Sequence, residues 1–502
     1  MSEPFDLIVI GGGVNGTGVA RDAAGRGARV LLLEAHDLAS GTSSASTKLV
    51  HGGLRYLEYY EIALVREALR ERETLWSIAP HIVRPMRFVL PVVPRALAPS
   101  VGKTRPRWLL RAGLFLYDHI GGPDSFPDTR LIDLRRHPAG APLQAGIHAG
   151  LEYSDAWVDD ARLVVLNAVD ARRRGAEIRT RTPVTAARRI TGGEGELWRV
   201  EAGGETFHAH ALVNAGGPGV DLVAGLTGTP PSFGIRRVRG SHIVVPQLFG
   251  HEYAYIFQLP DTRICFAIPY EDAFTLIGTT DRDHEGALVG VHAAEDEIAY
   301  LCEAASRYFR RPVAPADVVH SYAGVRPLID DHSEKPEAAT RGYRLPLSDP
   351  GEGAPMLGIY GGKITSYRHV AQEAVDLLAA RLPALSGPAW TAREPLPGGD
   401  FPKHAQGALI AELQSAYPFL SLPDATRIGR AYGLDAVLWL GDARIRQDLG
   451  RDFGAGLSEA EVDWLRREEF AVTADDVLRR RTKLGLHMGA DEQEALREFM
   501  GG

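Results

Sequence analysis

Residues 5–34 read FDLIVIGGGVNGTGVARDAAGRGARVLLLE, and this stretch decides the fold of the first part of the chain. An apolar run over 5–10 predicts a buried parallel strand. The glycines that follow have the spacing Gly-x-Gly-x-x-Gly, and small residues over 17–27 predict a helix that packs closely on a sheet. A second apolar run over 30–33 predicts a neighbouring strand. This order of elements indicates a doubly wound, Rossmann-like α/β domain.

Three glycines and one carboxylate in this stretch predict a dinucleotide site. Gly11 permits the tight turn, Gly13 lets the backbone approach a pyrophosphate, and Gly16 lets the helix pack against the strand. The helix N-terminus then faces the phosphates. Glu34 ends the second strand, where a carboxylate accepts hydrogen bonds from a ribose 2′-hydroxyl and disfavours NADP.

Composition and charge narrow the class of protein. The chain has 502 residues, 45% hydrophobic and 24% charged, which is typical of a globular protein of two or three domains. Its formal net charge of −8 argues against nucleic-acid binding. Two cysteines, Cys265 and Cys302, favour a reducing compartment over a disulfide framework. We expect neither a signal peptide nor a membrane-spanning helix.

A run rich in Ser, Thr and Gly bears on which dinucleotide binds. Residues 39–56 read ASGTSSASTKLVHGGLRY and supply many backbone and hydroxyl donors, as expected along a flavin pyrophosphate and ring. A plain linker is the alternative, but the run ends in His, Arg and Tyr. The strand predicted over 211–215 ends in glycines and closes the same domain. No second Gly-x-Gly-x-x-Gly follows a strand, so we expect no separate NAD domain.

Several strings along the chain resemble the FAD-dependent glycerol-3-phosphate dehydrogenases. HGGLRYLE (51–58), YSDAWVDDARL (153–163) and GVRPL (324–328) are the most specific, and further matches run from Phe5 to Leu486. The resemblance implies oxidation of sn-glycerol 3-phosphate to dihydroxyacetone phosphate by FAD, with electrons passed on to a membrane quinone. It is to the short bacterial respiratory form, because the chain lacks an Asp-x-Asp-x-Asp-Gly calcium loop.

The resemblance also implies which residues contact FAD. Lys363 suits the N1 or O2 region of the flavin, where a cation would stabilise the reduced anionic ring. The expected cofactor-binding residues are Gly11, Gly13, Asn15, Gly16, Glu34, Thr42, Ser43, Ser46, Lys48, Leu49, His51, Val184, Ala215, Gly216, Gly361, Gly362, Lys363, Ile364 and Thr365.

A phosphate monoester is a dianion near neutral pH, so its site needs fixed positive charge. Arg55 in GGLRY, Arg326 in AGVRP and Lys363 in GGKIT stand in glycine-rich turns, and the resemblance places all three around the substrate. Tyr56 is expected to shape the phosphate pocket. For any single arginine, a surface charge or a structural ion pair is the alternative.

Substrate oxidation removes a hydride from C2 and the proton of the C2 hydroxyl. His51 is the expected base, and Arg55 beside it would lower its pKa and favour the neutral form. A hydrogen bond from His51 to the flavin or loop is the alternative. Arg326 is expected to stabilise the developing alkoxide. His242 and Arg341 are weaker candidates.

Other titratable clusters have simpler interpretations. Asp155, Asp159 and Asp160 are expected to cap and tether a helix that starts near Asp159. The Asp-Asp-His run at 330–332 has no second cluster at ligand spacing, so we expect no metal.

A basic and apolar stretch predicts contact with a membrane surface. Residues 74–117 contain no acidic residue, and 108–117 (WLLRAGLFLY) are apolar with aromatics at both ends. We expect peripheral attachment to anionic lipids at the inner face of the cytoplasmic membrane. The alternative is a buried helix. Basic residues near the C-terminus are expected to extend this surface: Arg479, Arg480, Arg481 and Lys483.

The predicted architecture is α/β, with a Rossmann-like FAD-binding domain of the amino-acid-oxidase and glutathione-reductase type. The expected parts are a discontinuous FAD domain over 1–84, 151–226 and 321–385, a membrane-facing segment over 85–150, an antiparallel substrate cap over 227–320, a linker over 386–402 and a helical domain over 403–502. Three alternatives stay open: an amine or amino-acid oxidase, an oxygen-using glycerol-3-phosphate oxidase, and a non-catalytic flavoprotein subunit. Whether the chain forms a homodimer also stays open.

Overall fold

The computed structural model describes most of the chain. The described residues are 3–53, 61–94, 107–121, 125–192, 195–261, 263–330, 342–348 and 353–501, with side chains left out for 107–112 and 192.

A mixed sheet carries the glycine turn. Its parallel strands are Glu177–Arg179, Val30–Leu33, Phe5–Ile10, Glu205–Asn214 and Met356–Gly358, in that spatial order, and the antiparallel strands Gly195–Ala202 and Val184–Gly192 extend it. The central strand Phe5–Ile10 is buried on both faces, which explains why its sequence is apolar without alternation. The helices Val14–Gly25, Asp160–Arg173 and Tyr367–Ala379 pack over one face of this sheet.

A second, mostly antiparallel sheet forms the cap. Its strands in spatial order are Arg282–Asp283, Ile235–Pro246, Phe274–Gly278, Ile264–Tyr270, Ala254–Gln258, Val83–Val92, Ala149–Val158 and Leu49–Val50. Two further strands pair at its sides, His320–Ile329 with Ile235–Pro246 and Arg130–Asp133 with Ala149–Val158. The helices associated with this sheet are Ile62–Ile78, Arg107–Ile120 and Glu295–Ser306. The short helix Val220–Leu226 comes after strand Glu205–Asn214 of the first sheet along the chain.

The cap sheet corrects the predicted division of the chain. Strands Ala149–Val158 and His320–Ile329 were expected largely in the FAD domain, and Val83–Val92 largely in a membrane-facing segment over 85–150. All three pair within the cap sheet, and Val83–Val92 is mostly buried. An apolar strand pattern indicates burial but does not identify the partner strand, so distant pairings could not be assigned from the sequence.

The last part of the chain is mainly helical and has its own core. Its helices are Gln406–Ala416, Leu422–Tyr432, Ala436–Leu440, Glu459–Glu468 and Ala490–Met500, with a π-helical turn at Asp476–Arg481. Two short pairs of strands complete the described structure, Asp452–Gly454 with Leu457–Ser458 and Tyr343–Arg344 with Tyr360–Gly361.

Three of the four basic residues near the C-terminus, Arg480, Arg481 and Lys483, pair with carboxylates and do not form the predicted membrane surface, whereas Arg479 is exposed. Arg480 Nε and Arg481 Nη1 lie 2.5 Å and 2.6 Å from the Asp37 carboxylate, and Lys483 Nζ lies 2.5 Å from Asp159. The Arg481 side chain is 0% exposed. These cations join the helical region to the Rossmann-like domain, because their carboxylate partners come from a distant part of the chain.

Candidate active site

A large cavity lies at the carboxyl ends of the parallel strands. It measures about 1010 Å³, the upper end of the range for ligand pockets. Its wall includes the glycine turn, residues 39–43, 45–47 and 49, the turn at 215–219 and the turn at 361–365. Ligands of doubly wound sheets bind in this crevice because the helix N-termini and loops converge there.

The glycine turn has no room for side chains. Gly11 has a φ of +116°, and a Cβ on it would lie 2.5 Å from the Ala215 carbonyl oxygen. A Cβ on Gly16 would lie 1.9 Å from the Gly11 carbonyl oxygen. Gly11 and Gly13 line the cavity, whereas Gly16 is outside its wall and allows close packing of the helix.

Polar groups around this turn fit a dinucleotide. The Val14 N–H, at the start of the helix, donates to Ser43 Oγ at 3.0 Å. Asn15 Oδ1 is buried and has no hydrogen-bond partner among the described residues. Glu34 accepts from the Gly12 N–H at 2.6 Å, and burial raises the pKa of its carboxyl group despite its backbone hydrogen bonds. The helix N-terminus suits a pyrophosphate, and the strand-end carboxylate and the unpaired amide oxygen, both acceptors, suit hydroxyl donors such as those of a ribose.

Most of the predicted site residues lie on the wall of this one cavity. They are Gly11, Gly13, Asn15, Glu34, Thr42, Ser43, Ser46, Leu49, His51, Val184, Ala215, Gly216, Arg326, Gly361, Gly362, Lys363, Ile364 and Thr365. Arg55, Tyr56, Arg341 and residues 331–332 lie outside the described residues, so their roles stay predictions.

Lys48 does not line the cavity, contrary to its expected cofactor role. It is 2% exposed, and its Nζ lies 2.8 Å from Asp160 Oδ1 and 3.1 Å from the Ser44 carbonyl oxygen. The Ser46 hydroxyl donates to the same Asp160 carboxylate at 2.7 Å. Lys48 therefore holds the loop to the helix Asp160–Arg173, and we do not propose it as a cofactor contact.

Arg326 is held in place by one loop of the cap sheet. Its Nη1 lies 2.5 Å from Asp281 Oδ1 and donates to the Thr280 carbonyl oxygen at 3.1 Å, while Nη2 donates to Thr279 Oγ1 at 2.9 Å. A Cβ on Gly240 would lie 2.3 Å from Nη2, so the glycine makes room for the guanidinium. Sequence reasoning missed Asp281 and Thr279, although both stand in IGTTD (277–281), within the range over which the chain resembles the family.

His51 and the Lys363 turn meet across the cavity wall. The His51 N–H donates to Thr365 Oγ1 at 3.4 Å, although the two residues are 314 positions apart. Lys363 lies two residues before Thr365 on the same turn and lines the same cavity. The structure thus brings together a candidate base and a candidate cation that the sequence could not place relative to each other.

His242 is a second imidazole on the cavity wall. Its Nε2 lies 2.9 Å from Thr47 Oγ1, and its ring stacks on Tyr322 with centroids 4.9 Å apart. Burial, aided by Arg326 and Lys48, lowers the pKa of His242 well below its usual value, so the ring is neutral at pH 7. Its Nδ1 has no hydrogen-bond partner in the described parts of the chain.

Comparison with known proteins identifies the family. Residues 6–349 match the family model described as FAD dependent oxidoreductase, and residues 389–501 match the C-terminal domain of alpha-glycerophosphate oxidase. A glycerol-3-phosphate dehydrogenase of Pseudomonas aeruginosa is 48% identical over 100% of this chain and 96% of its own length. The chain belongs to the FAD-dependent glycerol-3-phosphate dehydrogenase family. It is therefore an FAD-dependent oxidoreductase, and the predicted fold class and cofactor are confirmed.

Three other proteins are similar to this chain over nearly the full length of both. The aerobic glycerol-3-phosphate dehydrogenase of Escherichia coli is 46% identical over 99% of this chain and 97% of its own length. A D-erythritol 1-phosphate dehydrogenase of Brucella abortus is 48% identical, with coverages of 99% and 98%. The structure of the glycerol-3-phosphate dehydrogenase from Bacillus halodurans complexed with FAD has the same fold, at a TM-score of 0.76 and 24% identity over 99% of this chain and 94% of that one.

Proposed function

We propose that this protein oxidises sn-glycerol 3-phosphate to dihydroxyacetone phosphate and passes the electrons on to a membrane quinone. The observation that carries this proposal is the meeting of Arg326, Lys363 and His51 on the wall of one cavity. Two cations suit a dianionic phosphate ester, and an imidazole beside them suits the hydroxyl proton.

Each of these side chains has a distinct task in the proposed reaction. The glycine turn and the turn at 361–365 would hold FAD, which would supply the acceptor for the hydride of C2. Arg326 presents a fixed guanidinium to the substrate and stabilises negative charge on the C2 oxygen as its proton leaves. Lys363 adds positive charge from the opposite turn, and His51 accepts the proton. Arg55 and Tyr56 complete the proposed phosphate contacts.

Part of the cavity wall is apolar, which supports a lipid-soluble electron acceptor. The apolar side chains come from the cap sheet and are Leu90, Tyr153, Ile256, Ile264 and Phe266. A quinone head group needs such a surface, whereas molecular oxygen does not. We therefore propose a quinone in preference to oxygen, and faster reoxidation of the reduced protein by a soluble quinone than by air-saturated buffer is the expected result.

The substrate is tested by mixing the purified holoenzyme anaerobically with candidate compounds and following flavin absorbance. We expect sn-glycerol 3-phosphate to bleach the flavin promptly, with D-erythritol 1-phosphate at least 10-fold less efficient by kcat/KM. Glycine, the amine-oxidase control, is expected to have no effect. A higher kcat/KM for D-erythritol 1-phosphate would assign the longer polyol phosphate as substrate, because a relative of that name is equally similar.

We also propose peripheral attachment to the inner face of the cytoplasmic membrane. Within the described ranges, no helix has the length and apolar character that crossing a bilayer requires. In the helix Arg107–Ile120, Phe115 and Leu116 are 64% and 41% exposed, and Ile62 at the start of the adjacent helix is exposed as well. Exposed aromatic and aliphatic side chains on a helix in a basic stretch suit the boundary between headgroups and acyl chains.

Polar replacement of this surface is expected to weaken membrane binding. Phe115→Ser with Leu116→Ser removes apolar area that a bilayer would bury, and we expect partitioning onto anionic liposomes to fall about 10-fold or more. Leu438→Ser changes an equally exposed leucine of the C-terminal helical region and serves as the control. Equal partitioning of both variants in a sedimentation assay would place the lipid contact elsewhere.

A further inference from the structure

A buried phenol connects the His51 loop to the cap sheet. The Tyr117 hydroxyl accepts a hydrogen bond from the Gly52 N–H at 2.8 Å and donates to Asp155 Oδ1 at 2.6 Å. Arg72 Nη1 lies 3.1 Å from the same carboxylate oxygen. Tyr117, Asp155 and Arg72 are all buried, so this chain of contacts is shielded from solvent.

Two hydroxyl groups hold two successive amides of this loop. Leu49–Val50 pairs with the strand that carries Asp155, and the chain leaves the sheet at the next residue. From there the His51 N–H donates to Thr365 Oγ1 and the Gly52 N–H donates to the Tyr117 hydroxyl. These two contacts, together with the strand pairing of Leu49–Val50, place His51 relative to the cavity.

The packing around Gly52 leaves the loop little freedom to adjust. A Cβ on Gly52 would lie 2.6 Å from the Leu69 side chain and 2.8 Å from the Tyr117 ring. Asp155 also lines the cavity, and burial raises its pKa to about 6 although Arg72 and Tyr117 act in the opposite direction. The phenol and the carboxylate thus form a rigid support directly behind the loop.

We propose that Tyr117, oriented by Asp155, is a positioning residue that sets the place of His51 in the active site. The inference rests on the proposed function, in which His51 accepts the substrate proton. In this proposal the Tyr117 hydroxyl contacts no reacting atom, and it acts on His51 through the backbone of Gly52.

The test is anaerobic stopped-flow reduction of the holoenzyme flavin by sn-glycerol 3-phosphate. In Tyr117→Phe, the Gly52 N–H loses its buried acceptor and the loop shifts, so we expect the limiting reduction rate to fall 10- to 100-fold. The substrate concentration for half-maximal rate and the FAD content should stay close to those of the wild type. A change in rate without a change in binding separates positioning from general destabilisation.

Tyr255→Phe is the matched control. Tyr255 is buried like Tyr117, and its hydroxyl donates to the Ala139 carbonyl oxygen at 2.6 Å, a partner that is not in the loop that carries His51. This variant should lose about as much stability as Tyr117→Phe, yet the substrate should reduce its flavin at the wild-type rate. Equal rates for Tyr117→Phe and Tyr255→Phe would overturn the inference.

A double-mutant cycle shows whether the effect passes through His51. On a His51→Ala background, Tyr117→Phe should slow reduction less than 2-fold, and an undiminished effect there would contradict the inference. If Tyr117→Phe does not fold, Asp155→Asn replaces it, with an expected 3- to 10-fold loss and the same dependence on His51. A wild-type flavin that sn-glycerol 3-phosphate leaves oxidised would overturn the proposed function itself.

Discussion

Replacing Arg326 by alanine is expected to slow flavin reduction by sn-glycerol 3-phosphate about 10²- to 10³-fold while FAD remains bound. A fixed donor aimed at developing negative charge typically contributes about 3–4 kcal/mol to the transition state. Asp281 and Thr279 hold the guanidinium over the cavity, so it needs no reorganisation when charge develops. Arg326 lies outside the glycine turn that we propose as the pyrophosphate site, so FAD content, read from the flavin spectrum, should be unchanged.

Two further variants make this result specific. Arg326→Lys keeps the charge but loses the planar fork, so it should recover only part of the rate. Arg263→Ala removes another arginine of the cap sheet, 26% exposed against 21% for Arg326 and paired with Asp261 outside the cavity wall. It should reduce its flavin normally. Wild-type reduction by Arg326→Ala would remove Arg326 from the proposed mechanism.

Replacing Arg481 by methionine is expected to lower the free energy of unfolding by about 2–3 kcal/mol, because Asp37 and the Glu469 carbonyl oxygen lose buried hydrogen bonds while Arg480 still pairs with the Asp37 carboxylate. Arg481 donates to Asp37 through Nη1 and Nη2 and to the Glu469 carbonyl oxygen through Nε and Nη2. Asp37 follows Glu34 by three residues, on the loop that lines the cofactor cavity. The variant should therefore also release FAD at a lower temperature, as flavin fluorescence during thermal unfolding would report.

The reciprocal change distinguishes an unpaired charge from lost packing. Asp37→Asn combined with Arg481→Met removes both charges while Arg480 keeps Asp476 as its partner, so the part of the loss that comes from a weakly compensated Asp37 carboxylate should return. Arg479→Met changes an exposed neighbour on the same turn and should leave the unfolding temperature almost unchanged. If Arg479→Met and Arg481→Met unfold at the same temperature, the contact with Asp37 does not hold the two regions together.

Local patterns determined much of this protein before its fold was known. The strand Phe5–Ile10, the glycine turn and Glu34 lie within 30 residues of one another, so their geometry follows from backbone sterics and a short connection. The same locality made the dinucleotide prediction possible. The family resemblance then predicted FAD as the cofactor and a set of contact residues. Most of these residues line the cavity.

Long-range partners were decided only by the tertiary structure. Lys48 was expected at the cofactor, but a carboxylate more than 100 positions away, Asp160, holds it in a buried ion pair. Arg481 was expected at a membrane, yet Asp37 pairs with it from the opposite end of the chain. Tyr117 was expected at one end of a membrane-facing stretch but is buried, and nothing near it in the sequence indicates that its hydroxyl meets Gly52.

The sequence by itself determined the α/β class, the dinucleotide turn and the chemistry available at the site, since residue types and short spacings encode these. The folded structure determines which strands share the cap sheet, which cations face the cavity and which cations form internal ion pairs. The physical reason is that a charged or polar side chain takes its role from its partner. Folding brings that partner from a part of the chain that local sequence does not specify.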